Sequence, residues 1–342
     1  MKKVMYCLLA VALLAALLIG CAPKEEAPAP SPAKPTPIVL KLLQVFPIGH
    51  ANTRWVVPTF MERVNERAKG ELVIERLGGP EVMPGFDQFE AQMKGVFDVA
   101  MNVVPYYYRA IPEAQIFWLR KHIASMEDRE SGLFDYMQKL YNDIGIQYLG
   151  LVQGRPPGGQ GVFFLFPNEP VTRPQELAGR VIRTAPIYDS FFRKMGISPV
   201  VIPYAETYTS LERGTVDGFA WPTLGPLDAG WFEVTKYVID HGFYAPTQQF
   251  FVNLDSFQRL PKHLQDLMMD VVEEMEPEVM GVWEQQCREE REKWVTAGVN
   301  FIKFTPEDAK WYIDLSWEAG KEEAKQNFRP EHFDKLFELA GY

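Results

Sequence analysis

Short apolar runs alternating with amphipathic helical patterns make this an α/β chain, and its length makes it a two-lobed one. Setting aside the first 37 positions leaves about 305 residues, large for one core and enough for two lobes. A stiff Gly154-Arg-Pro-Pro-Gly-Gly turn then divides the pattern, marking a crossover from a first lobe over 38–160 into a second over 161–247. Hydrophobic content of 47% and aromatic content of 13% suit a well-packed globular protein.

The N-terminus reads as a secretory signal and a tether. Lys2 and Lys3 precede an apolar run from Val4 to Ile19, too short for a comfortable membrane span, which ends in Leu18-Ile19-Gly20-Cys21. That ending resembles a bacterial lipobox, which implies a signal peptide over 1–20 and lipid attachment at Cys21, the first residue of the mature chain. An uncleaved anchor is the alternative. Residues 21–37 are rich in Ala, Pro, Lys and Glu, with nothing to bury. Proline holds such a segment extended, so at about 3 Å per residue it reaches roughly 50 Å. No later stretch is long and apolar enough to span a bilayer.

Val39 to Phe46 reads as a strand. Asn52 to Ala68 follows as a helix with Phe60 and Val64 inward, stopped by Gly70, and Leu72 to Leu77 is a second strand. Phe86, Phe89 and Met93 recur at helical spacing before Gly95. Val96 to Val104 is a third strand, ended by Pro105. Ser125 with Asp128 predicts the cap of a helix carrying Leu133, Met137 and Leu140, and Ile146 to Gln153 leads into the crossover turn.

Past the turn, Val181 and Ile182 lie on a short apolar run. Tyr188, Phe191, Phe192 and Met195 mark one face of a helix that Gly196 ends. Val200 to Ile202 is the next strand, and Gly214 closes the helix after it. Phe250 to Leu254 predicts a strand returning to the first lobe, so 248–285 rejoins it and 286–342 finishes the second lobe and the C-terminal helices. Two helical patterns, His263 to Met275 and Pro277 to Ala297, have the second proline-started. Val299 to Phe304 is a late strand, and Thr305-Pro306-Glu-Asp308 starts the first of two final helices.

Arg183 and Trp221 both fall at the carboxyl ends of strands, where open α/β sheets hold their ligands. An arginine there offers a planar fork of donors that matches a carboxylate in bidentate fashion. The residues around the pair form an ordered set. Leu177-x-Gly-x-x-x-Arg183 comes first, then Gly196-x-x-Pro199, then Tyr204-x-Glu-x-Tyr-x-x-Leu-x-x-Gly-x-x-Asp217-Gly218. From about Val39 to the C-terminus the chain resembles the dicarboxylate-binding type of TRAP transporter solute-binding proteins. The resemblance implies a periplasmic binding protein of two lobes, a ligand cleft between them, and one long helix shared by both.

It also implies a site. Arg183 takes the position that pairs with the ligand's carboxylate, and Tyr204 that of an aromatic packed on the ligand. Trp221 stands where the commoner pattern has Asn and a keto-acid-binding branch has Glu-Trp. Here Ala220 replaces that Glu, so no metal is expected. Phe163 takes the place of a second arginine found in sialic-acid binders, while Val103 and Tyr106 replace polar groups on the first lobe. Phe46, Tyr106 and Tyr107 complete the set on that side. Polar exchanged for apolar around a retained arginine favours an aromatic or otherwise largely apolar monocarboxylate, with a small dicarboxylate or hydroxy acid as the other reading. The implied partner is a two-component membrane permease driven by an ion gradient, with no ATP site on this chain and no cofactor.

Catalytic chemistry is thin. His50, His122, His241, His263 and His332 are scattered without metal-ligand spacing, and Gly158 to Gly161 lacks the Lys-Ser/Thr of a phosphate loop. No Gly-x-Ser-x-Gly elbow occurs. An exported lipoprotein enzyme with an unrecognised hydrolytic site is the competing class. A formal charge of −10, or −12 without Lys2 and Lys3, argues against nucleic acid or an anionic membrane face as partner. Cys287 is the single cysteine past Cys21, which leaves no disulfide and predicts a small buried residue. Glu273, Glu274, Glu276 and Glu278 read as a solvated helix face.

Overall fold

A computed structural model describes residues 36–122, 125–153 and 161–342. The signal sequence, Cys21, most of the tether and the Gly154 turn lie outside the described residues. The strands are β1 (Ile38–Gln44), β2 (Leu72–Gly78), β3 (Val99–Asn102), β4 (Ile146–Leu151), β5 (Phe163–Pro167) and β6 (Val181–Thr184). They continue as β7 (Ser198–Val201), β8 (Gly218–Pro222), β9 (Tyr237–Ile239), β10 (Gln249–Asn253) and β11 (Asn300–Ile302).

Lobe I is built on a sheet of order β2-β1-β3-β10-β4, in which β1 runs parallel to β2 and β3 while β10 is antiparallel to β3 and β4. Lobe II carries the order β5-β8-β6-β7, with β5 antiparallel to β8. A small parallel ribbon pairs β9 with β11. Because β10 sits between β3 and β4, the sheet of lobe I is complete only after the chain has passed through lobe II.

β5 is buried on both faces, which is why it reads Phe-Phe-Leu-Phe-Pro without alternation. Period-two geometry sends Phe163 and Leu165 to one buried cluster and Phe164 and Phe166 to the other. The helix Val56–Arg67 covers the second face with Val57, Phe60 and Val64, each fully buried and each stabilising by about 1.5–3 kcal/mol. It starts four residues later than its pattern suggests. Residues before it form a turn in which the Asn52 amide donates to His50 Nδ1 at 3.2 Å and the Thr53 hydroxyl donates to the Pro47 carbonyl at 3.2 Å.

Four other local readings are corrected. The third strand stops at Asn102, and Pro105 instead opens a helical turn, Val104–Tyr107. The helix expected from Ser125 is two, Ser125–Glu130 and Leu133–Asn142, broken at Gly132 with φ +83°. Asp128 is no cap there: its carboxylate accepts from His122 Nδ1 at 2.8 Å and pairs with Arg120 at 3.1 Å. Third, the patterns on either side of Pro277 are one 35-residue helix, Lys262–Thr296. A proline in that position removes a backbone donor, which is why the sequence breaks there, yet packing along the whole length outweighs its cost of about 3 kcal/mol. Fourth, Glu276 is not on a solvated face. It is 1% exposed and held by three hydrogen bonds from Arg129 of 2.7 to 3.1 Å.

The long helix touches both lobes. Met268, Val271 and Val272 join the lobe I core, while Trp294 stands edge-on to Phe164 and Phe166 of β5 at 6.1 and 5.4 Å. Between them Trp283 and the buried Cys287 pack on Ala51 and Leu224. The helices Pro306–Asn327 and Pro330–Leu339 follow, the first capped by Thr305 Oγ1 accepting from the Asp308 amide at 3.2 Å. Their junction is tied to lobe I by the Arg329 guanidinium, 2.7 Å from Glu113. Among the described residues no helix is long and apolar enough to cross a membrane.

Candidate ligand-binding site

Arg183 is the third residue of β6, and Trp221 the fourth of β8, the neighbouring parallel strand. Both side chains therefore emerge at the carboxyl edge of the lobe II sheet. Arg183 is 1% exposed, and two of its donors are used on main-chain carbonyls: Nε donates to Ile202 at 2.9 Å and Nη1 to Ala220 at 3.3 Å. Its planar face lies 4.8 Å from the Trp221 ring, a cation–π contact. From lobe I the Tyr106 phenol is near enough to feel the guanidinium's charge. Burial pushes that phenol's pKa up, and the Arg183 charge offsets part of the shift. Among the described residues no carboxylate pairs with Arg183. A buried guanidinium satisfied by neutral groups alone still wants an anion.

Beside it a narrow cavity lies between the lobes. Phe46, Val103 and Tyr106 form its lobe I wall, with Phe163, Tyr188 and Trp221 opposite. The free space is about 30 Å³, room for one or two waters, so the aromatic walls leave little space between them.

Of the seven residues expected at the site, Phe46, Tyr106, Phe163 and Trp221 line this cavity, and Arg183 and Tyr204 pack against Trp221. Tyr204 packs behind Trp221, with ring centroids 5.2 Å apart, and also meets Phe46 at 6.4 Å. Phe46 contacts Tyr106 at 5.8 Å and Trp221 at 6.0 Å, so the aromatics of the two lobes touch. Tyr107 does not join them. Successive residues of a helical turn point about 100° apart. Tyr107 is accordingly buried in lobe I, stacked on Phe89 at 4.4 Å and hydrogen-bonded to Tyr141 and Gln249.

The cavity has members that the motif does not announce. His50 stacks on Phe46 at 4.5 Å, and its edge meets Tyr204 at 4.8 Å. Burial, aided by the charge of Arg54, lowers its pKa to about 3, so the ring is neutral. Asn52, Gln153, Thr247 and Gln248 add a polar patch on the lobe I side. The signal for the glutamines is a polar residue abutting an apolar strand, Gln153 after β4 and Gln248 before β10. Only the antiparallel pairing of those strands puts the two side by side.

Residues 53–326 match the family described as bacterial extracellular solute-binding protein, family 7 (DctP). The chain belongs to that family. Among curated relatives, the ectoine-binding periplasmic protein TeaA of Halomonas elongata is 23% identical over 63% of this chain and 63% of its own length. The monocarboxylate 2-oxoacid-binding periplasmic protein of Nostoc sp. is 21% identical over 79% of this chain and 75% of its own. The chain thus spans less than two thirds of the Halomonas protein and three quarters of the Nostoc protein. Two solved structures share the fold. A TRAP periplasmic solute binding protein from Desulfovibrio salexigens with bound orotic acid has a TM-score of 0.77 at 18% identity, covering 88% of this chain and 97% of that one. Another from Rhodoferax ferrireducens, with bound malonate, has a TM-score of 0.74 at 21% identity, covering 88% and 96%. This chain is therefore an extracellular solute-binding protein of the DctP family, with the two-lobed fold of those solved structures.

Proposed function

We propose that this DctP-family protein binds an organic monocarboxylate with an apolar body in the cleft and hands it to the membrane permease of a TRAP-type secondary transporter. One observation carries the reading: a fully buried Arg183 without a carboxylate partner among the described residues, next to a cavity walled by aromatics. The ligand's carboxylate supplies the missing anion, and closing the lobes excludes water from the pair, which strengthens it. No lysine or arginine is among the residues lining the cavity, and Arg183 lies against its Trp221 wall, so a second carboxylate would be buried without a counter-charge. This favours a monocarboxylate over the small dicarboxylates, although malonate is the molecule bound in the Rhodoferax relative.

The transport role includes a periplasmic location and attachment by lipid at Cys21. A tether of about 16 residues then leaves the lobes free to reach a permease in the same membrane system. A thermal-shift screen over aliphatic, aromatic, hydroxy and dicarboxylic acids, followed by calorimetry, tests the ligand class. Apolar monocarboxylates should raise the melting temperature most. Tight binding of C4-dicarboxylates with none of apolar acids would refute it.

A further inference from the structure

The polar patch in the cavity holds buried hydrogen-bonding atoms that the protein leaves unused. Asn52, Gln153 and Gln248 are 5%, 2% and 1% exposed and all line the cavity. Asn52 Oδ1, Gln153 Nε2 and Gln248 Oε1 have no hydrogen-bond partner among the described residues. The patch is nonetheless built with care. Gln248 Nε2 donates to the Asn52 carbonyl at 2.7 Å, and the Val152 amide donates to the Gln248 carbonyl at 2.9 Å, which fixes the three side chains on one edge of lobe I. Arg183 comes from lobe II and packs against Trp221, which lines the cavity on the side of lobe II.

Orphaned buried amides each cost about 1–3 kcal/mol, and three together at a ligand cavity are better explained by a ligand than by packing. A side-chain amide brings one acceptor and one donor group whichever way it is turned. The patch therefore suits a neutral group that both donates and accepts. A carboxylate there would face carbonyl oxygens with no cation, and a methyl group would leave every amide unsatisfied. We propose that Asn52, Gln153 and Gln248 form a second, uncharged recognition site that takes a hydroxyl on the part of the ligand remote from its carboxylate. This rests on the reading of Arg183 as the carboxylate anchor, and it narrows the ligand class to hydroxy monocarboxylates with an apolar middle.

The test is calorimetry on the full mature chain with a matched series. Straight-chain acids of three to six carbons are each compared with the ω-hydroxy acid and the α,ω-dicarboxylate, and benzoate with its 3- and 4-hydroxy forms. In at least one set the hydroxy acid should bind about tenfold or more tighter than both counterparts. In Gln248→Leu that advantage should fall below about threefold. Gln153→Met should act likewise, since Gln153 Nε2 has no hydrogen-bond partner among the described residues. A hydroxyl preference absent from every set, or one surviving both substitutions, overturns the second site while leaving the carboxylate anchor standing. Failure of all acids to bind removes the anchor and this site together.

Discussion

The Arg183 guanidinium stacks 4.8 Å from the Trp221 ring while its Nη1 donates to the carbonyl of Ala220, the residue just before that indole. One strand, β8, thus supplies both a lid for the cation's face and an acceptor for its edge. The fork is held in place by main-chain carbonyls of Ile202 and Ala220.

Arg183→Ala should weaken binding of the chain's carboxylate by about 2–5 kcal/mol, because truncation leaves the buried anion unpaired. Arg183→Lys should also bind poorly, since a point charge cannot span two acceptors and a carboxylate at once. Calorimetry decides it: affinity within threefold of wild type for the alanine variant would place the anchor elsewhere.

Trp221→Ala should cost apolar acids roughly 1–3 kcal/mol through lost burial and stacking. Small dicarboxylates make less of that contact and should lose less. The ratio of dissociation constants for a branched aliphatic acid and succinate, taken in both proteins, is the measurement; an unchanged ratio would remove the indole from selectivity.

Gly225 has φ +119°, and a Cβ there would lie 2.7 Å from Trp221 Nε1 and 3.1 Å from His50 Nε2. Gly225→Ala is therefore strained in its backbone and pushes against two packed rings. We expect a loss of about 1–3 kcal/mol in urea unfolding together with weaker ligand binding. Wild-type stability would show that the aromatic set tolerates movement.

His50 titrates near 3 in the folded chain and near 6.5 when unfolded, its pKa depressed by burial and by Arg54. The unfolded state binds the extra proton, so this histidine's contribution to stability is present above pH 6.5 and is lost as pH falls from there toward 3. His50→Phe keeps the stack on Phe46 and removes the titration. Urea midpoints at pH 7.5 and 4.5 should therefore differ less in the variant than in wild type.

Cys21→Ser should abolish lipid attachment and leave ligand binding intact. Incorporation of a clickable fatty acid into wild type and variant reports the first, and calorimetry the second. Equal labelling of both proteins would rule out Cys21 as the lipid site.

The buried position of Arg183 near the end of a strand was legible because it depends on an ordered motif and on a strand edge, both local features. The aromatic set was mostly legible for the same reason: Phe46, Phe163 and Trp221 abut or belong to strands whose direction fixes where they point. Tyr107 was not, because Pro105 starts a turn of helix where the hydrophobic run suggests extended chain, and the next residue rotates out of the cleft. The amides Gln153 and Gln248 lie 95 positions apart, and their adjacency is a product of β10 slipping between β3 and β4. Long-range pairing of that kind leaves no trace in local periodicity. Likewise the unbroken helix through Pro277 owes its continuity to packing on both lobes, which overrides local propensity.

That helix also governs how the jaws can move. It is fastened at one end to β4 and the helix Val56–Arg67, and at the other to the aromatic face of β5. A pin joint would let the halves swing without resistance, but a single rod clamped to both must flex, with Pro277 as its softest link. Neither half can change its angle to the other without involving that one continuous rod, so the sequence of its middle turns bears on motion at both ends.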